Sequence, residues 1–403
     1  MDNRKLVVIG HGMVAQRLLE RLVAEPANPY TEIDVLNAEA VPAYNRILLS
    51  SVLAGDASMA GIALQSSDWF REHGIRLHSS EPATAIDTEA KTVMTASGKV
   101  MQYDDLVLAT GSRAASLKLP GETLEGVVSF RNVDDTEKLL EMSRNHRRAV
   151  VIGGGFLGLE AAEGLRQQGM SVTVIHRGEH LLNRQLDPTA GKLLEDALVT
   201  RGIHVATHSS PLSLLGQSRV RAVELTDETL ISTDLVVLAT GITPNREIAE
   251  QSGIECDRGI LVDSQLRTSQ PSVFAVGECC QLGKQTFGLV EPGYQQADTL
   301  AQVLCHNDSH FKPGEVATRL KISGIPIFSC GHPVPGPDTE SVIWQDHDTA
   351  RYCHLLLRNN RLAGAVLFGE TQDGPWYFDQ LQQQRDLSAH RQQLAFGAAY
   401  CTA

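Results

Sequence analysis

Two stretches of this chain have residue types and spacing suited to gripping a pyrophosphate. The first is Gly10-His11-Gly12-Met13-Val14-Ala15, directly after the apolar run Leu6-Val7-Val8-Ile9. The second is Gly153-Gly154-Gly155-Phe156-Leu157-Gly158, directly after Ala149-Val150-Val151-Ile152. In each G-x-G-x-x-G/A pattern the first glycine (Gly10, Gly153) permits a tight turn. The second (Gly12, Gly155) lets backbone N–H groups at a helix N-terminus approach phosphate. The third position (Ala15, Gly158) must be small so that the helix can pack on its strand. Met13, Val14, Phe156 and Leu157 open the two helices and belong to the same candidate sites. One such motif is a weak signal. Two predict a pair of bound dinucleotides and electron transfer between them.

The surrounding elements repeat as well. Residues 1–111 read as strand, helix, strand and then shorter strands, closing on Asp105-Leu106-Val107-Leu108-Ala109-Thr110-Gly111. A second pass starts near Arg147 with strand, helix, a strand at 172–175 and a helix at 187–200. It closes on Asp234-Leu235-Val236-Val237-Leu238-Ala239-Thr240-Gly241. Both passes end in an apolar run followed by Ala-Thr-Gly, which predicts duplication at domain scale with one βαβ nucleotide fold per copy. The runs 259–263 and 273–278 are too short for a further domain and are expected to complete the first. From Thr318 onward, 320–322, 341–344, 352–358 and 362–368 read as antiparallel strands. Asn359-Asn360 is the hairpin turn between the last two, and 380–393 reads as a final polar helix. The expected fold class is α/β, with two Rossmann-like domains and a C-terminal α+β domain built on an antiparallel sheet. The expected boundaries are 1–112 with 243–317, then 113–242, then 318–403.

Composition narrows the function. A chain of 403 residues exceeds one typical domain of roughly 100–200 residues. Its 42% hydrophobic and 21% charged residues suit a soluble globular protein. No apolar run nears the ~18–20 residues that span a membrane. The first strand begins too early for a signal peptide, so a cytoplasmic protein without a membrane partner is expected. A net charge of −13, with no basic tract longer than 144–148, argues against nucleic acid. That short tract reads as a solvated helix end, with steering of an acidic protein partner as the alternative. The seven cysteines contain no C-x-x-C or C-x₄-C pair and read as reduced thiols. Cys305-His306, Cys330-Gly331-His332 and Cys353-His354 fit no zinc or iron–sulfur spacing, so no metal site is expected.

The two Ala-Thr-Gly closures, Ala275-Val276-Gly277-Glu278 and the β-rich C-terminal part occur in an order that resembles a known family. It is that of the two-dinucleotide-binding flavoproteins, the pyridine nucleotide-disulfide oxidoreductases, and the resemblance spans the whole chain. Four segments are most similar to the FAD/NAD(P)H module of assimilatory nitrite reductase large subunits and to assimilatory nitrate reductase electron-transfer subunits. They are Ala43-Tyr44-Asn45-Arg46-Ile47-Leu48-Leu49-Ser50, Arg184-Gln185-Leu186-Asp187, Gly277-Glu278-Cys279 and Gly288-Leu289-Val290-Glu291-Pro292. Rubredoxin reductases share much of this pattern.

The resemblance implies FAD at the first fingerprint, with Thr110 and Gly111 of the first closure beside it. Glu39, just past the second strand, would accept from the adenosine ribose; Asp34, inside that strand, is a poorer candidate. Ala83 falls where the family makes a backbone contact to adenine. Arg46 falls in a loop that approaches the pyrophosphate and flavin. Gly277 and Glu278 correspond to the family's Gly-Asp on the ribityl chain, with Glu one methylene longer. Glu291 and Pro292 would start a helix whose N-terminus faces the flavin pyrimidine edge.

NAD(P)H is implied at the second fingerprint, with Gly241 of the second closure and with Glu160 near the nicotinamide. Arg46 and Glu160 are thus the candidate catalytic residues. His176 and Arg177 occupy the specificity position, where no acid stands to repel a 2′-phosphate and Arg177 could pair with one. NADH-using members of the nitrite reductase branch often lack that acid, so NADH is expected and NADPH stays open.

Relatives that pass electrons through protein thiols carry a cysteine near position 45, a C-x₄-C after the first helix, or a C-x-x-C in the second nucleotide fold. Here Tyr44-Asn45-Arg46 stands in the first place, and the first cysteine is Cys256. The expected activity is therefore hydride transfer from NAD(P)H to FAD, then single electrons to an external acceptor. That acceptor would be a nitrate or nitrite reductase subunit, or a small iron–sulfur carrier as in rubredoxin reductases. The iron–sulfur and sirohaem centres of nitrite reductase are expected on another polypeptide. The C-terminal sheet would be a docking face or a homodimer interface. A reading of another class is a flavin- and NAD(H)-binding sensor or assembly subunit.

Overall fold

The computed structural model describes residues 4–322 and 324–401, without the side chains of Lys321 and Ile322. It contains two compact units. The first comprises residues up to Leu49, Ala57–Arg113 and Ile242–Gly314; the second comprises Ser50–Asp56, Ala114–Gly241 and the residues from Glu315 onward.

The first unit is built on a five-stranded parallel sheet. Its strands lie in the order Val273–Ala275, Asp105–Leu108, Arg4–Ile9, Tyr30–Leu36, Ile75–His78. Ile9 is in register with Leu36 on one side and Leu108 on the other, and Leu108 with Ala275. Four successive strands therefore end level with one another at their C-terminal edge. The helix Met13–Ala24 follows the first strand and buries Leu18, Leu19 and Leu22 completely, each such leucine contributing about 1.5–3 kcal/mol. Beside it runs the helix Val290–Leu304, whose Gly293 leaves room for Val14: a Cβ there would lie 2.6 Å from the valine side chain.

The second unit repeats the plan. Its parallel sheet runs Ile203–Ala206, Ser171–Ile175, Arg148–Ile152, Leu235–Leu238, Val127–Ser129. Ile152 is in register with Ile175 and Leu238. Each copy also carries a three-stranded antiparallel meander before its Ala-Thr-Gly strand: Ala83–Asp87, Thr92–Thr95, Val100–Gln102 in the first and Pro211–Gly216, Val220–Leu225, Leu230–Ser232 in the second. The same unit contains a five-stranded antiparallel sheet ordered Thr318–Ile322, Ile325–Gly331, Arg361–Phe368, Arg351–Arg358, Glu340–Asp346. Asn359 and Asn360 turn the expected hairpin with φ of 52° and 59°, the left-handed pair of a type I′ turn.

In the C-terminal part, two elements differ from expectation. The strand Ile325–Gly331 was not foreseen, because Pro326 and the small residues at its end weaken the apolar signal. The final helix is Gly374–Gln383 rather than 380–393: Pro375 opens it, Tyr377 and Leu381 bury its inner face, and Gln384 ends it with φ 50°. Beyond it come short 3₁₀ turns at Ser388–His390 and Leu394–Phe396.

Candidate functional site

In the first unit the level strand ends bring the expected residues to one rim. Gly10, Glu39, Thr110 and Gly277 follow the C-terminal ends of four adjacent parallel strands, the place where open α/β sheets bind ligands. Gly10 has φ +100°, and a Cβ there would lie 2.2 Å from the Ala109 carbonyl oxygen, so no other residue fits. Gly12 caps the helix with no side-chain bond to its free N–H groups and no acid in its first turn, and the space a Cβ would occupy is open. A helix start left bare in this way suits a phosphate.

Around this rim the side chains are interlocked. Glu39 accepts from the Tyr44 hydroxyl at 2.8 Å and is paired with Arg46, whose guanidinium also lies over the Tyr44 ring, 5.1 Å from its centroid. Asp34 is engaged elsewhere, between Arg76 (2.6 and 2.8 Å) and His78 (2.7 Å). Ser112 donates to Glu278 at 2.9 Å. Ala83 begins a meander strand, and Gly111 takes φ +63°. Glu291 and Pro292 lie in the first turn of the helix Val290–Leu304, which has no side-chain cap; the glutamate is exposed and the proline buried.

The second unit places Gly153, His176 and the residues up to Gly241 at the corresponding rim. Gly153 has φ +129° and sits against Ala239, with a virtual Cβ 2.2 Å from its carbonyl oxygen. Gly158 would clash with the Gly153 oxygen at 1.9 Å if it carried a Cβ, so helix and loop touch through backbone alone. Gly155 caps the helix Phe156–Gln167, which is again bare of side-chain caps and of first-turn acids. Phe156 and Leu157 are half-buried in its first turn; Gly241, with φ +130°, has open space before it. Glu160 is half-buried one turn further on. Burial pushes its carboxyl up to about 7, opposed by a hydrogen bond from Ser50. Arg177 is exposed, while the His176 ring turns inward, its Nδ1 accepting from the Gly154 N–H at 3.2 Å.

Four contributors were not foreseen. Asn245 clasps the first closure: its amide donates to the Thr110 carbonyl at 2.8 Å, its carbonyl accepts from the Thr110 hydroxyl at 2.7 Å, and its N–H donates to Gly111 at 3.0 Å. It follows the second closure by four residues, the only signal that could have pointed to it. Ser50 belongs to the Ser50–Asp56 segment, which joins the second unit through Leu53, packed on Gly164 and bonded to Gln168 at 2.9 Å. Nothing local marks that route.

His11, buried, donates to Gln16 at 3.0 Å and accepts from the Ala43 N–H at 3.2 Å. Burial drives its pKa down to about 4, so the ring is neutral, as an accepting Nδ1 requires. Gln296, fully buried, accepts from the Gly277 N–H at 2.7 Å, while its Nε2 has no partner. That orphan donor beside the rim is a further sign that the first unit is shaped for a polar group held within it.

The two thiols that follow Gly277 are not poised for exchange chemistry. Cys279 and Cys280 are fully buried against backbone carbonyls, and burial pushes both pKa values up, away from the thiolate that reacts. Among the described residues, no group of three or more His, Cys, Asp or Glu could hold a metal. No described helix is long and apolar enough to cross a membrane.

The model of the pyridine nucleotide-disulphide oxidoreductases matches residues 4–298. The chain belongs to this family. Its 317–385 segment matches the C-terminal domain of rubredoxin NAD⁺ reductase. The chain is 40% identical to the nitrite reductase [NAD(P)H] of Bacillus subtilis (strain 168) over 96% of its own length and 48% of that protein. It is 38% identical to the assimilatory nitrate reductase electron transfer subunit of the same organism, over 98% and 51%. It thus spans about half the length of these relatives. The solved NADH:rubredoxin oxidoreductase of Clostridium acetobutylicum superposes with a TM-score of 0.81 at 26% identity, covering 98% of this chain and 99% of that one.

Proposed function

We propose that the first unit binds FAD, the second binds NADH, and the electrons leave for a redox protein of nitrate or nitrite assimilation. The observation that carries this reading is the chemistry of the 44–46 loop. Tyr44 and Arg46 are tied to Glu39 there, and no cysteine precedes Cys256, so this loop offers electrons no thiol. When bound, FAD supplies the conversion of hydride from the nucleotide into single electrons. The protein's part is to hold and align. Gly10, Gly12, Met13, Val14 and Ala15 would seat one pyrophosphate; Gly153, Gly155, Phe156, Leu157 and Gly158 would seat the other. Glu39 would meet the FAD ribose, with Ala83 on the adenine. Thr110, Gly111, Gly277, Glu278, Glu291 and Pro292 would frame the flavin. Arg46 would set a positive charge near the flavin, and Glu160 a neutral or weakly ionised carboxyl near the nicotinamide. Gly241 would line the nucleotide side with Arg177.

The 38% identity to the nitrate reductase electron transfer subunit, over 98% of this chain, supports the acceptor class. The matching C-terminal domain and the Clostridium relative support a second reading, reduction of rubredoxin or a similar iron–sulfur carrier. Domains at 1–112 with 243–317, 113–242 and 318–403 would then carry FAD, NADH and the acceptor-docking face, in a cytoplasmic protein. Light scattering tests whether the same sheet makes a homodimer. The deciding experiment mixes the FAD-loaded protein anaerobically with NADH or NADPH and follows bleaching of the flavin band. Fast bleaching, strongest with NADH, is expected, followed by reoxidation by the partner reductase faster than by rubredoxin. No bleaching with either nucleotide overturns the reductase reading in favour of a sensor or assembly subunit.

A further inference from the structure

We propose that His176 is a positioning residue that braces the middle glycine of the second fingerprint and takes no part in choosing between NADH and NADPH. This rests on the reading of that fingerprint as the nicotinamide-nucleotide site. Gly154 is held from both sides: its N–H donates to His176 Nδ1 at 3.2 Å, and its carbonyl accepts from the Leu182 N–H at 2.9 Å. The His176 backbone is fixed in turn, donating to Ala206 at 2.8 Å and accepting from Ser209 at 3.0 Å.

The ring lies close against two glycines. A Cβ built on Gly154 would lie 2.7 Å from its Cγ, and one built on Gly178 would lie 2.7 Å from its Nε2. The imidazole is therefore packed between two glycine backbones. Nδ1 already accepts a hydrogen bond, and an accepting nitrogen carries no proton. Nε2 is buried, with the Asn183 amide beside it against Gly178, and makes no hydrogen bond of normal geometry. Neither nitrogen is presented to a ribose or to a 2′-phosphate, although the residue stands at the strand end where that choice is commonly made.

The first copy contains the reciprocal device. There the histidine is the middle residue of the fingerprint itself, and His11 Nδ1 accepts from the Ala43 N–H at 3.2 Å. In both units an imidazole acceptor ties the glycine loop to the segment that follows the second strand. The histidine stands on the loop in one copy and on the strand end in the other. Two independent solutions to the same task favour a bracing role. A glycine-rich loop that must keep its N–H groups aimed at phosphate gains most from such a brace, because glycine has the most conformational freedom to lose.

The test measures equilibrium binding of NAD⁺ and of NADP⁺ to the FAD-loaded protein by calorimetry, for wild type, His176→Leu and His176→Asn. Leucine removes the acceptor, whereas the asparagine oxygen can take the place of Nδ1. His176→Leu is expected to weaken both nucleotides by one common factor of about tenfold, as for a buried N–H left without its acceptor. His176→Asn is expected to recover most of that loss, and the ratio of the two affinities is expected to stay at the wild-type value in both. A ratio that moves with either substitution overturns the proposal, and so does unchanged binding in His176→Leu. Should the leucine variant fail to fold, the ratio in His176→Asn alone decides. Arg177→Asp, shifting the ratio toward NAD⁺, serves as the control that the assay detects specificity. If wild type itself binds neither nucleotide, the reading of the second fingerprint fails, a result distinct from a shifted ratio.

Discussion

Backbone space at single residues separates the two proposed cofactor sites experimentally. Gly10→Ala forces a Cβ against the Ala109 carbonyl at a φ of +100°, where a left-handed L-residue alone costs about 1–2 kcal/mol. The variant is expected to purify without bound flavin, read from the visible spectrum. Gly153→Ala meets the same obstacle at Ala239 and is expected to stay yellow while losing reduction by NADH. Two titrating groups shifted by burial give opposite pH signatures. Glu160 holds its proton more tightly when folded, at about 7 against an ordinary 4.5. Its penalty is absent below 4.5 and grows as pH rises to about 7. Glu160→Gln is therefore expected to raise the melting temperature at about pH 8 and to leave it unchanged at about pH 4. His11 is held down at about 4 against 6.5. The stability of its buried neutral ring is present above 6.5 and is lost as pH falls toward 4, because the unfolded chain takes the proton first. His11→Asn is expected to flatten that acid limb of a melting-temperature profile. His11 and His176 were legible only as residues near a glycine loop. What their rings do depends on partners 22 to 32 positions away.

At the level of elements, Asp187 carries an unusual share. It caps the helix Pro188–Thr200 by accepting from Thr189 and Ala190 at 2.9 and 3.3 Å. The same buried carboxylate accepts from the Tyr352 hydroxyl at 3.1 Å and lies 3.4 Å from His354 Nδ1, both on the strand Arg351–Arg358. One side chain thus starts a helix of the nucleotide fold, satisfies a tyrosine hydroxyl of the C-terminal sheet and lies beside its histidine. Asp187→Ala should cost about 1 kcal/mol for the cap and about 1–3 kcal/mol more for the stranded hydroxyl. Asp187→Asn keeps an acceptor at the cap and should cost less than half as much. Denaturant melts followed at the second unit measure both. The helix start was readable from Asp187-Pro188, a cap followed by proline at the first position. The link to Tyr352 was not, since it joins residues 165 positions apart. The end of the last helix was misplaced for a related reason: the polar run 380–393 has no apolar stripe, and burial of Tyr377 and Leu381 decides where helix stops.

At the scale of the whole molecule, two compact units, each proposed to hold its own ligand, should respond separately to FAD and NAD⁺. In scanning calorimetry, FAD is expected to raise the transition of the first unit, by about 2.7 kcal/mol at a hundredfold excess over its Kd. NAD⁺ should do the same for the second. A single transition moved equally by either ligand would contradict this. The sequence by itself determined the duplication, the two parallel nucleotide folds, the antiparallel C-terminal sheet and the residues at each strand end. Those follow from local period, from turn chemistry and from glycines whose backbone geometry admits no substitute. Only the tertiary structure decided that Ser50–Asp56 joins the second unit and sets a serine beside Glu160. It alone decided that Asn245 clasps Thr110, and that His176 faces the glycine loop instead of the solvent edge. Each of these is a contact between residues distant in sequence, selected by packing and hydrogen-bond satisfaction over the whole fold, and no local pattern carries that information.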